Sequence, residues 1–517
     1  MELKLTEQDV QSIIQGVLKN IGQTLGEAKG QGQGAAAVSS GYSSVPALSV
    51  SHQNTVAPHS SQRGEYGVFE RVDDAIGAAT AAYAKFAKEG KLSTREKLVQ
   101  AIRETTLKHK EQLAKLIWDE TGLGRIEHKI AKLELTANKT PGTEDLNTQA
   151  YSGDEGLTIV EESPFGVVGA VTPVTNPAET VINNSIGLIA AGNAVVFNVH
   201  PSSKKSCAYT VQLLNKAIVA AGGPMNLITM VKDPSKESLD AIIEAPEVKL
   251  LLGTGGPGLV KTLLSSGKKA IGAGAGNPPV VVDETADMEH AAKEIIAGAS
   301  FENNILCIAE KEVFVVNSAA DDLIFHMLNH GAYRLNQREL DQVMSFALEV
   351  NAKQVASGCS LDPKRDYHVA KDWLGKDASL FLEKIGVRGK DDVKLLICEV
   401  DFSHPFVQLE QMMPILPIVR VHDLDEAIEL AVKAEHGNRH TAIMHSTNVY
   451  NLTKFARAIG TTIFVKNASS LAGVGYGGEG YATMTIAGPT GEGLTSARAF
   501  TRKVRCVMAD GGFRIIG

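Results

Sequence analysis

From Leu157 onward, short runs rich in valine and isoleucine recur between stretches of helical periodicity: Gly166–Val171, Asn193–Val199, Met225–Val231 and Val248–Leu252. Strands alternating with crossover helices predict a parallel α/β sheet, with ligands at the C-terminal strand ends. Helical patterns over Val72–Lys88 and Ser93–Glu120 precede the strands, and no internal repeat is present.

A chain of 517 residues, 44% hydrophobic and 21% charged, has the apolar content for a large core divided over more than one domain. Its net charge of -8, from 51 basic and 59 acidic side chains, argues against a general affinity for nucleic acid or acidic membranes. Small-molecule chemistry is the expectation. The five cysteines, Cys207, Cys307, Cys359, Cys398 and Cys506, form no CxxC pair, so neither a disulfide framework nor a thiolate metal site is expected. The N-terminus lacks signal-peptide features and no stretch approaches the roughly 18 apolar residues of a membrane span, so an intracellular protein is expected.

The N-terminal segment is of a different kind. Within residues 6–21, Val10, Ile13, Ile14, Val17, Leu18 and Ile21 fall on one helical face, with Thr6 and Asp9 at the first turn. Residues 22–65 shift to Gly, Ala, Ser and Gln, a composition that cannot offset ordering entropy and reads as a flexible tether. A short amphipathic helix on such a tether either docks on another protein or folds back on the body and mediates oligomer contacts. Membrane-surface binding is disfavoured by its few basic and aromatic residues.

Four further landmarks carry chemistry. The segments Ser163–Pro177 (SPFGVVGAVTPVTNP) and Ala190–Ser203 (AAGNAVVFNVHPSS) are followed by the glycine-rich turn Gly253–Gly258 (GTGGPG), by Phe301–Cys307 (FENNILC) and by Glu410–Pro414 (EQMMP). The glycine turn follows an apolar strand and leads into a helix whose N-terminal dipole favours an anion. Alone it is a common strand-to-helix turn, and a lone cysteine is usually a small buried hydrophobe. Together and in this order, they resemble the aldehyde dehydrogenase superfamily.

The resemblance implies a Rossmann-like NAD domain, an α/β catalytic domain and small bridging strands for oligomerisation. The expected domains are 66–150 with 166–280 for the dinucleotide, 281–495 for catalysis, and 151–165 with 496–517 for bridging. It also implies roles. Cys307 is the nucleophile that carries the acyl group as a thioester. The oxyanion is held by the Cys307 backbone N–H and an amide from the Thr175-Asn176 loop. Alignment on Pro173, itself placed at the cofactor, puts Thr175 at the family's asparagine position and Asn176 one residue later; Asn176 is taken as the donor. Gly253, Thr254 and Gly258 approach the pyrophosphate, with Thr254 as the contact, and Glu410 holds the nicotinamide ribose. His200 and Ser203 replace the lysine and glutamate with which many relatives grip the adenosine ribose; loss of that glutamate removes a repulsion toward a 2′-phosphate, so NAD is expected from the overall resemblance and not from these two residues.

An absence is equally informative. Hydrolytic members place a water-activating glutamate before a Gly-Gly pair, and register puts Ala273 there, in Gly272–Pro279 (GAGAGNPP). Without a positioned base, attack by water loses roughly 10²- to 10⁴-fold. The thioester then waits for a thiol. Thr140–Asp145, Ala309–Val313, His436–Thr441 and Ser496–Arg502 accordingly resemble the CoA-acylating branch, above all the propanal and acetaldehyde dehydrogenases of bacterial microcompartments. In that branch His440 either deprotonates the incoming CoA thiol or orients the thiohemiacetal; otherwise it is a buried structural histidine.

The resemblance further implies NAD and coenzyme A as cosubstrates, propanal or acetaldehyde as substrate, and a homodimer or homotetramer. It makes residues 6–21 an encapsulation peptide for a microcompartment shell or core enzyme, in the cytoplasm. A hydrolytic dehydrogenase is the rival activity, and a scaffold with a vestigial fold is the rival class.

Overall fold

The computed structural model describes residues 64–350 and 362–510. The expected helix at 6–21, the tether as far as residue 63 and Cys359 lie outside the described residues.

Strands that are apolar on both faces need cover on both faces, and the chain arranges them in two parallel sheets. The first sheet has six strands in the order Val68–Phe69, Ile228–Val231, Ala194–Asn198, Val167–Val171, Val248–Thr254, Lys269–Ala273. All its pairs are parallel, with Val168 beside Val195 on one flank and Leu250 on the other. The strand order reverses between Val167–Val171 and Val248–Thr254, and a crevice opens at the carboxyl ends of such a pair. The strand expected from Met225 starts only at Ile228. Asn226 turns through a left-handed φ of 70°, its N–H bonded to Asn215 Oδ1, before the chain can extend.

The second sheet has seven strands in the order Ala332–Arg334, Leu395–Glu399, Ile415–Val421, Glu312–Val316, Pro279–Val282, Thr441–His445, Ile463–Lys466, again all parallel. Pro279–Val282 spans the expected boundary at 280 and pairs along both edges, with Glu312–Val315 and Ile443–His445. A third sheet is antiparallel: Gln149–Gly153, Gly156–Pro164 and Thr501–Ala509, largely exposed. Asn193 ties it to the first sheet. Its Oδ1 accepts from Phe165 N (2.8 Å) and Gly166 N (3.0 Å), while Nδ2 donates to the Phe500 carbonyl (2.9 Å).

Three helices position the site. Leu92–Thr121 buries Leu98, Val99, Ile102, Thr106, Leu113, Ala114 and Ile117, spaced to share one face, and ends at Gly122 in the left-handed conformation (φ 64°). Pro177–Ala190 begins with proline at its first turn and is buried along its whole length, its polar Glu179, Asn183 and Asn184 included. Between them, Ile126–Lys139 buries Lys129, Lys132, Leu133, Thr136 and Ala137. Two buried lysines on one face are unusual, since lysine is rarely fully buried unless paired. Among the described residues, no group of His, Cys, Asp or Glu is disposed to hold a metal ion, and no helix is long and apolar enough to cross a membrane.

Candidate active site

Cys307 and Asn176 line one predominantly apolar pocket. Phe301, Leu306, Ile308, Leu471, Val474, Met484 and Ile486 form its walls, with Lys132, Tyr476 and Thr483 at the polar positions. Asn176 reaches it as the N-cap of helix Pro177–Ala190, just past strand Val167–Val171 of the first sheet. Cys307 reaches it from the other lobe, ahead of strand Glu312–Val316. Neighbouring Thr175 is partly exposed, and its carbonyl accepts from Lys132 Nζ at 3.4 Å.

The loop that presents Cys307 is conformationally costly. Glu302, Asn303 and Asn304 are fully buried and have φ of 52°, 53° and 67°, a run of left-handed residues without glycine. Tertiary bonds hold each one. Glu302 accepts from Lys129 Nζ (2.8 Å), Lys132 Nζ (3.0 Å) and Arg125 N (3.1 Å). Asn303 donates to the Gly375 carbonyl (2.9 Å) and Asp377 (3.0 Å), and Asn304 to the carbonyls of Ala299 (2.8 Å) and Glu310 (2.9 Å). Lys311, also fully buried, closes the loop from behind. Its ammonium donates to the Asn304 carbonyl (2.7 Å), Asn304 Oδ1 (2.5 Å) and the Leu306 carbonyl (3.0 Å).

Charge around the thiol is finely opposed. Cys307 is partly exposed, yet its apolar setting, helped by the Glu410 carboxylate, pushes the thiol up to about 12, while Lys311 pulls it down. Burial raises Glu410 to about 7, against the pull of Lys311 and a bond from Gly276 N–H. Burial lowers Lys311 to about 8, against the attraction of Glu410 and Cys307. At neutral pH the thiol is therefore protonated, beside a carboxyl that burial makes harder to ionise.

Gly276 is the hinge of this cluster. A methyl group there would lie 2.3 Å from the Cys307 carbonyl oxygen and 3.1 Å from His440 Cγ, so only glycine lets the imidazole and the Cys307 backbone approach so closely. His440 is buried. Its Nδ1 lies 2.9 Å from Thr441 Oγ1, its backbone N–H donates to Glu435 (2.9 Å), and its Nε2 has no hydrogen-bond partner in the protein. Burial, reinforced by Lys311, lowers it to about 4, so it is a neutral imidazole at pH 7. Ala273 ends its strand, buried, in register with Thr254 and accepting from Gly255 N (3.0 Å).

The crevice of the first sheet suits a dinucleotide. Gly253 lies where a side chain would strike Leu263 (2.2 Å), so glycine allows helix Pro257–Leu264 to pack tightly on its strand. Gly256 and Gly258 are exposed with open space above them, leaving the first turn of that helix accessible to an anion. Thr254 Oγ1 is 3.0 Å from Thr485 Oγ1, and Pro173 is partly exposed near the end of the neighbouring strand. Past the strand Ala194–Asn198, the two residues expected at the adenosine ribose separate. His200 is exposed, its Nδ1 accepting from Ser202 N (3.2 Å), whereas Ser203 is fully buried and its hydroxyl donates to the His200 carbonyl (3.1 Å). His200 is thus the side chain exposed there, and Ser203 closes the helix start beneath it.

Sequence reasoning missed Lys132, Lys129, Glu302, Glu179 and Lys311. Lys129 and Lys132 are three positions apart on one helix face with Leu133 and Thr136; a pair of lysines on an otherwise buried face was the available signal.

The family model described as the aldehyde dehydrogenase family matches residues 63–484. The acetylating acetaldehyde dehydrogenase EutE of Salmonella typhimurium is 47% identical over 455 residues, covering 87% of this chain and 94% of that protein. The Rhodopseudomonas palustris propionaldehyde dehydrogenase, solved with bound CoA and an acylated cysteine, is 49% identical, with a TM-score of 0.82 over 87% of this chain and 99% of that one. A propionaldehyde dehydrogenase from the fucose utilisation bacterial microcompartment of Clostridium phytofermentans is 46% identical, with a TM-score of 0.82 over 86% of this chain and 99% of that one. The chain belongs to the aldehyde dehydrogenase family, alongside its CoA-acylating members.

Proposed function

We propose that the chain oxidises a short aldehyde, propanal in preference to acetaldehyde, and transfers the acyl group to coenzyme A through a thioester on Cys307. The observation that carries this reading is the shared pocket: Cys307 and Asn176 line it together, and Ala273 stands where a water-activating carboxylate is expected. Apolar walls suit a small aliphatic aldehyde and keep water from the thioester.

Cys307 sulfur attacks the aldehyde carbon as its thiol proton passes to solvent water. Its backbone N–H and Asn176 Nδ2 hold the oxyanion of the resulting thiohemiacetal. When bound, NAD supplies the acceptor for the hydride that leaves this carbon. When the dinucleotide is bound, Gly253 and Gly258 would shape the turn at its pyrophosphate, Thr254 would contact that group, Pro173 and His200 would border the cofactor, and Glu410 would hold the nicotinamide ribose. Collapse of the oxyanion leaves the Cys307 thioester. His440, neutral and with Nε2 free of protein partners, relays the CoA thiol proton to the departing Cys307 sulfur, the stronger base of the two, as the CoA sulfur attacks the thioester carbon.

The test is NADH formation with and without CoA. Turnover should continue only with CoA and yield acyl-CoA; equal sustained turnover without CoA, yielding free acid, overturns the proposal. Propanal and acetaldehyde differ by one methylene, worth about 1–3 kcal/mol in a pocket, so the two kcat/KM values decide the preferred substrate. The exposed antiparallel sheet supports pairing between subunits into a dimer or tetramer. Residues 6–21 are proposed to dock the enzyme onto a microcompartment shell or core enzyme in the cytoplasm. A reporter fused to residues 1–21 should enter assembled shells, and diffuse signal would count against this.

A further inference from the structure

Asn176 and Cys307 come from different lobes, so something must hold the two oxyanion donors in register. Lys132 bridges them. It is almost fully buried and lines the same pocket, and its ammonium lies 2.8 Å from Asn176 Oδ1, 3.0 Å from Glu179 Oε1 and 3.0 Å from Glu302 Oε2. An ammonium has three donors and no acceptor, so it engages the amide only through oxygen. That fixes which way the amide points. Nδ2 is turned the other way, where its one protein contact is a long 3.5 Å approach to Thr175 Oγ1. Glu302 begins the left-handed run that leads to Cys307, and Glu179 lies in the helix that Asn176 caps.

We propose that Lys132 is a positioning residue: by holding Asn176 Oδ1 and Glu302 Oε2 on one ammonium, it aims Asn176 Nδ2 at the developing oxyanion and sets its distance from Cys307. The cationic partner also polarises the amide and strengthens its N–H as a donor. This rests on the reading of Cys307 as nucleophile and Asn176 as donor.

The experiment measures the first-turnover rate of NADH formation at saturating aldehyde and NAD for Lys132→Met, Lys129→Met, Asn176→Ala, Cys307→Ala and the double variant Lys132→Met with Asn176→Ala. Lys129 is the matched control. It is a buried lysine paired with Glu302 at 2.8 Å, three residues away, and it does not line the pocket. Loss of an oxyanion donor costs about 10²–10³-fold in rate, so Lys132→Met should lose about 10²-fold in that first-turnover rate, with little change in the aldehyde concentration that gives half of it in a parallel titration. Lys129→Met should lose far less, and Lys132→Arg should recover part of the rate. In the Asn176→Ala background, Lys132→Met should cost less than about threefold more, because coupled residues are non-additive.

Equal losses for the two lysines, or full additivity in the double variant, would overturn the proposal. Loss in Cys307→Ala and Asn176→Ala with a normal Lys132→Met would sink the positioning role alone. Undiminished Cys307→Ala or Asn176→Ala would sink the underlying reading instead. If Lys132→Met does not fold, Lys132→Met combined with Glu179→Gln removes one charge of each sign and carries the same expectation, with Glu179→Gln as its reference.

Discussion

Replacing Lys311 with methionine tests how the nucleophile loop is built. The ammonium satisfies three acceptors, the Asn304 carbonyl at 2.7 Å, Asn304 Oδ1 at 2.5 Å and the Leu306 carbonyl at 3.0 Å. Methionine has a comparable stem and no donor, so both Asn304 acceptors lose this partner, while the Leu306 carbonyl keeps the Ala309 N–H at 3.2 Å. Each buried acceptor left unsatisfied costs about 1–3 kcal/mol. Part of that is offset because the ammonium no longer has to be kept out of water, which leaves a net loss of about 3–5 kcal/mol. Urea unfolding should show a lower midpoint at unchanged m-value. The same charge also pulls the Cys307 thiol down from the level that burial and Glu410 set. Without it, the pH profile of Cys307 alkylation should move up, and a shift of one unit means about tenfold slower alkylation at pH 8. Glu410→Gln should move that profile the other way. A Lys311→Met protein of wild-type stability, or one whose alkylation profile moves down, would refute the reasoning.

Because burial raises Glu410 to about 7, its carboxylate forms as pH rises through 7; KM for NAD should fall across pH 6–8, and Glu410→Gln should abolish that inflection in steady-state kinetics. Glu310, accepting from Ser470 N (2.8 Å) and Oγ (2.9 Å), is likewise raised to about 7 by burial. A raised carboxyl contributes stability that is complete below its unfolded pKa and lost as pH climbs through its folded one. Thermal unfolding should therefore show stability declining from about pH 4.5 to 7, and Glu310→Gln should flatten that slope. Gly276→Ala should cost about 10²-fold in kcat/KM, since a methyl 2.3 Å from the Cys307 carbonyl oxygen displaces the nucleophile, with an unfolding penalty of about 1–3 kcal/mol. Wild-type kinetics in that variant would show that the loop yields without consequence.

The sequence by itself determined the parallel sheets, because strands apolar on both faces have few alternatives, and their runs at 166–171, 193–199 and 248–252 lie within a residue or two of those observed. It also determined which landmarks belong together: the glycine turn, Cys307 and Glu410 are legible because short motifs keep their order along the chain. Ser203 shows the limit. Position pointed to the cofactor, but a hydrogen bond to the His200 carbonyl turns its hydroxyl into the fold.

Only the tertiary structure decided what holds the site. Lys132 meets Asn176 across 44 residues and Lys129 meets Glu302 across 173, so no local pattern reports either contact. Lysines on an amphipathic helix ordinarily face water, and their place beside Leu133 and Thr136 signals burial at most, without naming the partners. Burial and opposite charge converge only when the two lobes close around that helix. Those contacts hold the Asn176 amide oxygen and brace a left-handed loop that would otherwise relax, while Lys311 and Glu410 oppose each other around the thiol.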